Sequence, residues 1–261
     1  MSAEPPRWSD AASWWEDFHR AALFLTRLPL PRPAPRPDVG LAEASWAFPL
    51  VGVVVGLVGG LGYALASWVH LPIIAAALIA LAASALVTGA LHEDGLADTA
   101  DGFGGATERE AKLAIMRDSR IGAYGVLALL FSIGLRIAGL VAIGSGSRVL
   151  AALVAAHAVA RGVLPLVLRA LEPARTDGLG AAAGRPSAAT AWTGAGIAAV
   201  IALLALGFWN GLGALVATAA ATALVAALAR RQIGGYTGDV LGAIEQTGET
   251  VMILAAAAWA T

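Results

Sequence analysis

Apolar runs of about twenty residues alternate with short polar segments along most of this chain. They cover about 46–69, 72–91, 121–143, 149–168, 188–209, 211–229 and 240–260. Each approaches the ~20 residues that an α-helix needs to cross a bilayer. The pattern predicts an all-α, polytopic integral membrane protein with about seven transmembrane helices. The segment ahead of the first run reads differently. Trp14, Phe18, Ala21, Ala22 and Leu25 share one helical face, with Glu16, Asp17, His19 and Arg20 elsewhere. This predicts an amphipathic helix from a cap at Ser9 or Asp10 to about Leu28, lying in the membrane interface. Its continuation, PLPRPAPRPD at 29–38, is too rich in proline for a helix and reads as a semi-rigid linker. Residues 1–10 read as a disordered tail.

Gly52, Gly56 and Gly60 form a ladder of small residues in the first run. Such a ladder lets another helix approach closely, either within one chain or in a homo-oligomer. The dipeptide Asn210–Gly211 predicts a tight turn between the fifth and sixth runs.

Composition strengthens the membrane reading. The chain is 58% hydrophobic and 13% charged, with mean hydropathy +0.74; soluble domains carry about 25% charge. The net charge of −1 gives no reason to expect a nucleic-acid partner. The absence of cysteine excludes disulfides and thiolate metal sites. Of the 17 lysines and arginines, 14 fall before the first run or in the second, fourth and sixth connections. That asymmetry assigns those segments to the cytoplasm.

The candidate chemistry sits in the same cytoplasmic segments. His92–Gly105, HEDGLADTADGFGG, carries Asp94, Asp98 and Asp101 at i, i+4 and i+7, one face of a helix. Clustered carboxylates repel one another and call for a hard cation, which takes oxygen ligands and shares its shell with phosphates. His92 lies off that face as a nearby acid, base or donor. In MRDSRIGAYG, 116–125, Arg117 and Arg120 suit a diphosphate. Asp118 is an unusual companion for them. Ser119 and the backbone before Gly122 suit a helix cap that offers N–H groups to an anion. Asp239, Glu245 and Glu249 open the last run, and ionisable groups at membrane depth line a site or pair with a cation. Arg136, His157 and Arg161 lie inside spans, where they either neutralise these carboxylates or hold a substrate phosphate. Together the groups suggest metal-assisted phosphoryl transfer in which positioning and charge neutralisation supply most of the rate.

Three motifs carry a resemblance: H-x-D-G-L-A-D-x-x-D-G at His92–Gly102, M-R-D-S-R-x-G-x-x-G at Met116–Gly125 and G-G-x-T-G-D-x-L-G-A at Gly234–Ala243. With FLTRLPLP at Phe24–Pro31 and PARTDGLG at Pro173–Gly180, they resemble the cobalamin synthase family, adenosylcobinamide-GDP ribazoletransferase. The resemblance implies a bacterial inner-membrane enzyme that needs Mg²⁺ and works on the cytoplasmic side. Its substrates would be adenosylcobinamide-GDP and α-ribazole or its 5′-phosphate, and GMP would leave. It implies residues 1–38 as tail, interfacial helix and linker, and 39–261 as a transmembrane catalytic domain. Asp94, Asp98 and Asp101 would hold Mg²⁺, with Asp239 or Glu245 completing a second site. The base would come from Asp239, Glu245 and Glu249; Arg117, Asp118, Ser119, Arg120, Arg161 and Arg175 would bind substrate. The lipid bilayer is a partner, and a homo-oligomer or other corrinoid-pathway enzymes are left open. Enzymes similar to CDP-alcohol phosphotransferases also cluster aspartates at a membrane interface, and a transporter is the rival from another class.

Overall fold

The computed structural model describes residues 11–31 and 40–258, and within them the chain is mostly helical, with short connections and one parallel β-bridge between Pro173 and Tyr236. The cap at Ser9 or Asp10, the tail, most of the proline-rich linker and the last three residues lie outside the described residues. The helices are α1 (Ala11–Leu25), α2 (Leu41–Ala44), α3 (Phe48–Trp68), α4 (Ile73–Thr88), α5 (Leu91–Gly105), α6 (Arg109–Ile115), α7 (Ala123–Ile143), α8 (Gly146–Gly162), α9 (Leu164–Ala170), α10 (Gly178–Ala182), α11 (Ala188–Leu206), α12 (Phe208–Ile233) and α13 (Gly238–Ala258).

Among the described residues, five stretches are long and apolar enough to cross a bilayer: Leu41–Trp68, Ala123–Ile143, Gly146–Ala170, Ala188–Leu206 and Phe208–Ile233. The bent pair α4 and α5 makes a sixth if counted as one span. The expected seventh, α13, is long enough but too polar, because it buries Glu245, Gln246, Glu249 and Thr250. It packs against α5, α7, α8 and α12, so protein rather than lipid surrounds it. Large apolar side chains cover the outer faces instead, among them Leu61, Trp68, Leu130, Phe131, Leu204 and Trp209. So much exposed apolar surface suits a lipid environment.

Two kinds of contact hold the bundle together. The first is close helix packing. A Cβ at Gly52 would lie 2.2 Å from the His157 carbonyl oxygen, and one at Gly56 2.6 Å from Val154 Cα. The small-residue ladder of α3 is therefore occupied by α8 of the same chain. The second is a buried ion network centred on α13. Glu249 accepts from Arg136 Nη1 of α7 and from Arg161 Nη1 of α8, each at 2.9 Å, and touches His157. Glu245 pairs with Arg161 at 2.5 Å and stands 3.7 Å from His92 Nδ1. Ser84 Oγ of α4 lies 3.1 Å from His157 Nε2. Two carboxylates and two guanidiniums balance without a further ion, the requirement for burying charge at low cost.

The structure corrects two turns. Asn210 and Gly211 lie inside α12; the chain reverses at Gly207, whose φ of +80° suits glycine. Gly211 serves packing instead, since a Cβ there would sit 2.9 Å from the Ala202 carbonyl oxygen. Arg230 and Arg231 occupy the last turn of α12 rather than a loop, a favourable end for cations. The helix expected to reach Leu28 ends at Leu25. Ala21, Ala22 and Leu25 bury against the core, and buried Asp17 accepts from Trp46 Nε1 at 2.9 Å.

Gly56→Leu is expected to lower stability by about 1–3 kcal/mol through overpacking. Gly196→Ala, facing open space on α11, is expected to stabilise by about 0.4–1 kcal/mol. Arg161→Met is expected to cost about 3–5 kcal/mol because it strands a buried carboxylate. Adding Glu245→Gln should recover much of that loss. Unfolding of the purified protein in detergent measures all four.

Candidate active site

The acidic stretch owes its position to a joint. α4 ends at Thr88, then Gly89 (φ +65°) and Ala90 (φ +55°) both adopt left-handed backbone, and α5 leaves at 92° to α4. Glycine takes that conformation freely; alanine does so at a cost of about 1–2 kcal/mol. The segment after α1 closes over the joint. The Arg27 N–H donates to the Val87 carbonyl at 2.7 Å, and a side chain at 89 would meet the Arg27 side chain. The sharp bend turns α5 away from the α4 axis, and its acidic face then meets the beginning of α13. A Cβ at Gly95 would lie 2.8 Å from the Asp239 carbonyl oxygen, and one at Gly242 3.0 Å from that of His92. Asp239, more than 130 residues away in sequence, is thereby brought against the acidic face of α5.

Asp94, Asp98, Asp239 and Arg175 form the cleft. Arg175 Nη2 donates to Asp239 Oδ2 at 3.3 Å, and Thr237 Oγ1 donates to the same oxygen at 3.1 Å. Partial burial, then the charges of Asp94, Asp239 and Asp101, push the Asp98 carboxyl up to about 7, against a smaller pull from Arg175. Burial likewise raises Asp239, while Arg175 and Thr237 hold it back. One guanidinium faces three carboxylates, so the cleft carries unbalanced negative charge where the interior network does not.

Asp101 faces elsewhere. Its Oδ2 accepts the Gly122 N–H at 2.6 Å and its Oδ1 the Gly125 N–H at 2.9 Å. These amides open α7, so Asp101 caps that helix from a different one. A Cβ at Gly122 or Gly125 would come within 2.4 Å of the carboxylate. Sequence reasoning expects Ser119 and this backbone to offer N–H groups to an anion; the Gly122 and Gly125 amides hold Asp101 instead, and Ser119 borders the neighbouring hollow.

The MRDSR segment lies beside the cleft. Arg120 grips Asp118 through Nε (3.0 Å) and Nη2 (2.6 Å), holding that carboxyl down at about 2. Arg117 Nη2 bonds both oxygens of Asp177, at 2.9 and 3.1 Å, across to the loop that supplies Arg175. That loop is pinned in turn. The Ala174 N–H donates to the Tyr236 carbonyl at 2.8 Å, the Tyr236 N–H to Glu172 at 3.0 Å, and Arg109 Nε to Ile233 at 2.9 Å. Sequence reasoning missed Asp177, Thr237 and Arg109. Asp177 and Thr237 lie inside quoted motifs but beside more conspicuous charges, while Arg109 lies outside every quoted motif.

Glu245, Glu249, Arg161 and His157 stay in the interior. Ligand atoms of His157, Glu245 and Glu249 come within 4.8 Å of one another, as a metal site would require. Arg136 and Arg161 already supply the opposite charge. The arrangement is an ion-pair network that fixes α13. His92 is the link outward, buried, near Glu245 and on the wall of the adjoining cavity.

Two hollows meet at Asp94. One, of about 310 Å³, is lined by Phe24, Phe48, Leu164, Leu168 and Leu241, with Asp94, Arg175 and Asp239 on its polar wall. The other, of about 490 Å³, is more open and is lined by Asp94, Asp98, Arg117, Asp118 and Ser119. This arrangement suits joining two molecules across a shared acidic group.

Comparison with known proteins agrees with the motifs. A family model described as cobalamin-5-phosphate synthase matches residues 17–257. An adenosylcobinamide-GDP ribazoletransferase of Bradyrhizobium diazoefficiens is 50% identical over 243 residues, covering 93% of this chain and 94% of that protein. Proteins of the same name from Mesorhizobium japonicum and Sinorhizobium medicae are 47% and 40% identical, covering 92% and 94% of this chain and 92% and 97% of their own. No solved structure matches. With nearly its whole length matched and half its residues shared with one relative, this chain belongs to the cobalamin-5-phosphate synthase family.

Proposed function

We propose that this chain joins adenosylcobinamide-GDP to α-ribazole, or to its 5′-phosphate, with release of GMP. The observation that carries the reading is the meeting of two hollows at a cleft of three carboxylates with a single guanidinium among them. The relatives' names supply the substrates. A ribazole hydroxyl oxygen forms a bond to the phosphorus nearest the corrinoid, the diphosphate P–O bond breaks, and GMP carries away the electron pair. The hydroxyl proton passes to a carboxylate. Asp239, raised by burial and held by Thr237 and Arg175, is our candidate for that base. Glu245 and Glu249, bound to arginines in the interior, act through the placement of α13 instead.

The cleft fits Mg²⁺: its donors are all carboxylate oxygens, their charge is unbalanced, and the open side admits phosphate. Asp94 and Asp98 would hold the ion, which supplies charge neutralisation at the phosphoryl oxygens. Asp101 would orient α5 through its grip on α7. Arg117 and Arg120 offset diphosphate charge, and Asp118 and Ser119 border its path. The cleft is built from the arginine-bearing connections, which supports a cytoplasmic face on a bacterial inner membrane. A transport path finds less support, because Arg136, His157, Arg161 and Glu249 are committed to one another.

Purified protein given both substrates and Mg²⁺ is expected to release GMP in a ribazole-dependent way; GMP release without ribazole, or none at all, would sink the reading. Asp98→Asn should lower kcat by about 100-fold or more. The raised Asp98 carboxyl also fixes a sign. Only its ionised form binds a cation, so apparent Mg²⁺ affinity should weaken by up to about tenfold per pH unit below about 7. Without metal the same group takes up protons on folding, so its contribution to stability falls as pH rises from about 4 towards 7. Mg²⁺ titrations of the wild type and Asp98→Asn from about two pH units below the raised Asp98 value to about two above it check both: the Asn variant should lose the slope.

A further inference from the structure

The two hollows differ in size, lining and openness, and those differences distinguish the substrates. We infer that the 310 Å³ cavity bounded by α1, α3, α5, α9, α10 and α13 is the ribazole site, and that the open hollow on the far side of Asp94 receives the diphosphate of the corrinoid nucleotide. The inference rests on the transferase reading and deepens it.

Size decides first. A cavity of about 310 Å³ lies at the lower end of small-molecule sites and suits a nucleoside. A corrin macrocycle with its side chains exceeds that volume several-fold, so the larger substrate must remain on the open side. Lining decides second. The Phe24 and Phe48 rings lie 6.2 Å apart with an interplanar angle of 12°. With Leu164, Leu168 and Leu241 they make an apolar wall suited to a flat bicyclic base. Opposite them stand Asp94, Arg175 and Asp239, a polar edge suited to ribose hydroxyls. Arg175 is the cation on that edge, so it is also the group that would distinguish ribazole 5′-phosphate from ribazole. The open hollow is the more polar of the two. Arg117, Asp118 and Ser119 border it, and Asp98 lies on its floor. An incoming hydroxyl from one side and a phosphorus from the other then converge at Asp94, the acidic residue that lines both spaces.

Leu241 and Phe24 are only half-buried, so changes there spare the tight core. Leu241→Trp is expected to raise KM for α-ribazole by about tenfold or more, with KM for adenosylcobinamide-GDP changed by less than about twofold. Ser119→Trp, which fills the open hollow, should show the opposite split. Arg175→Met should raise KM for ribazole 5′-phosphate by about tenfold more than for ribazole. A Leu241→Trp effect on the corrinoid substrate, or on neither, overturns the assignment. So does equal loss of the two ribazole forms in Arg175→Met. Fluorescence-detected binding of α-ribazole alone, to wild type and to Phe24→Ala in detergent, is a readout independent of turnover. Weakened binding in Phe24→Ala supports the cavity, and unchanged binding, or none by the wild type, overturns it. A wild-type chain that binds ribazole but releases no GMP would defeat the transferase reading while leaving the cavity assignment intact.

Discussion

Two carboxylates in the middle of a membrane bundle set the terms for the rest of the molecule. Glu245 and Glu249 are almost wholly removed from solvent, and an unpaired charge there would be costly. Arg136 from α7 and Arg161 from α8 meet that requirement, with His157 and Ser84 filling out the polar contacts. The pairs fix α13 in rotation and depth. Its first turn is thereby held where α5 passes, and Asp239 is delivered to Asp94 and Asp98. The interior charge is balanced, so the unbalanced charge of the cleft is left for a substrate and a cation.

Close backbone approach transmits this order outward. α8 can bring Arg161 to the centre because α3 yields space at Gly52 and Gly56. α5 can bring its acidic face to α13 because Gly95 and Gly242 leave no side chain between them. Asp101 then ties the far half of α5 to the first amides of α7. The acidic motif thus divides its labour. Asp94 and Asp98 look into the cleft, while Asp101 spends its oxygens on architecture.

Much of this was legible in the chain. Hydropathy located the spans, because lipid-facing helices need apolar surface throughout. Helical spacing put Asp94 and Asp98 together, and the resemblance singled out the three polar segments that converge. The joint at Gly89–Ala90 was not legible, since an alanine in left-handed backbone leaves no local signal. Nor was the capping role of Asp101, whose i+7 position looks the same whether it faces a cation or a row of amides. α13 was counted as a seventh span because its apolar end resembles one. Its polar half makes sense only once the surrounding helices are known. Asn210–Gly211 misled for a similar reason: a turn dipeptide was needed for packing, and the turn moved to Gly207.

The buried network also bears on how the chain is made. Arg136 and Arg161 lie in α7 and α8, whereas Glu249, which neutralises both, lies in α13, 113 and 88 residues later. At translation rates of roughly 5–20 residues per second, the two cations wait for several seconds without their counter-charges. Snorkelling, water or neighbouring hydroxyls must shelter them over that interval. The bundle is therefore completed by a late arrival: α13 slots into a space whose charge is already set, and the cleft comes into being only at that moment. Biogenesis and active-site assembly are in this molecule a single event.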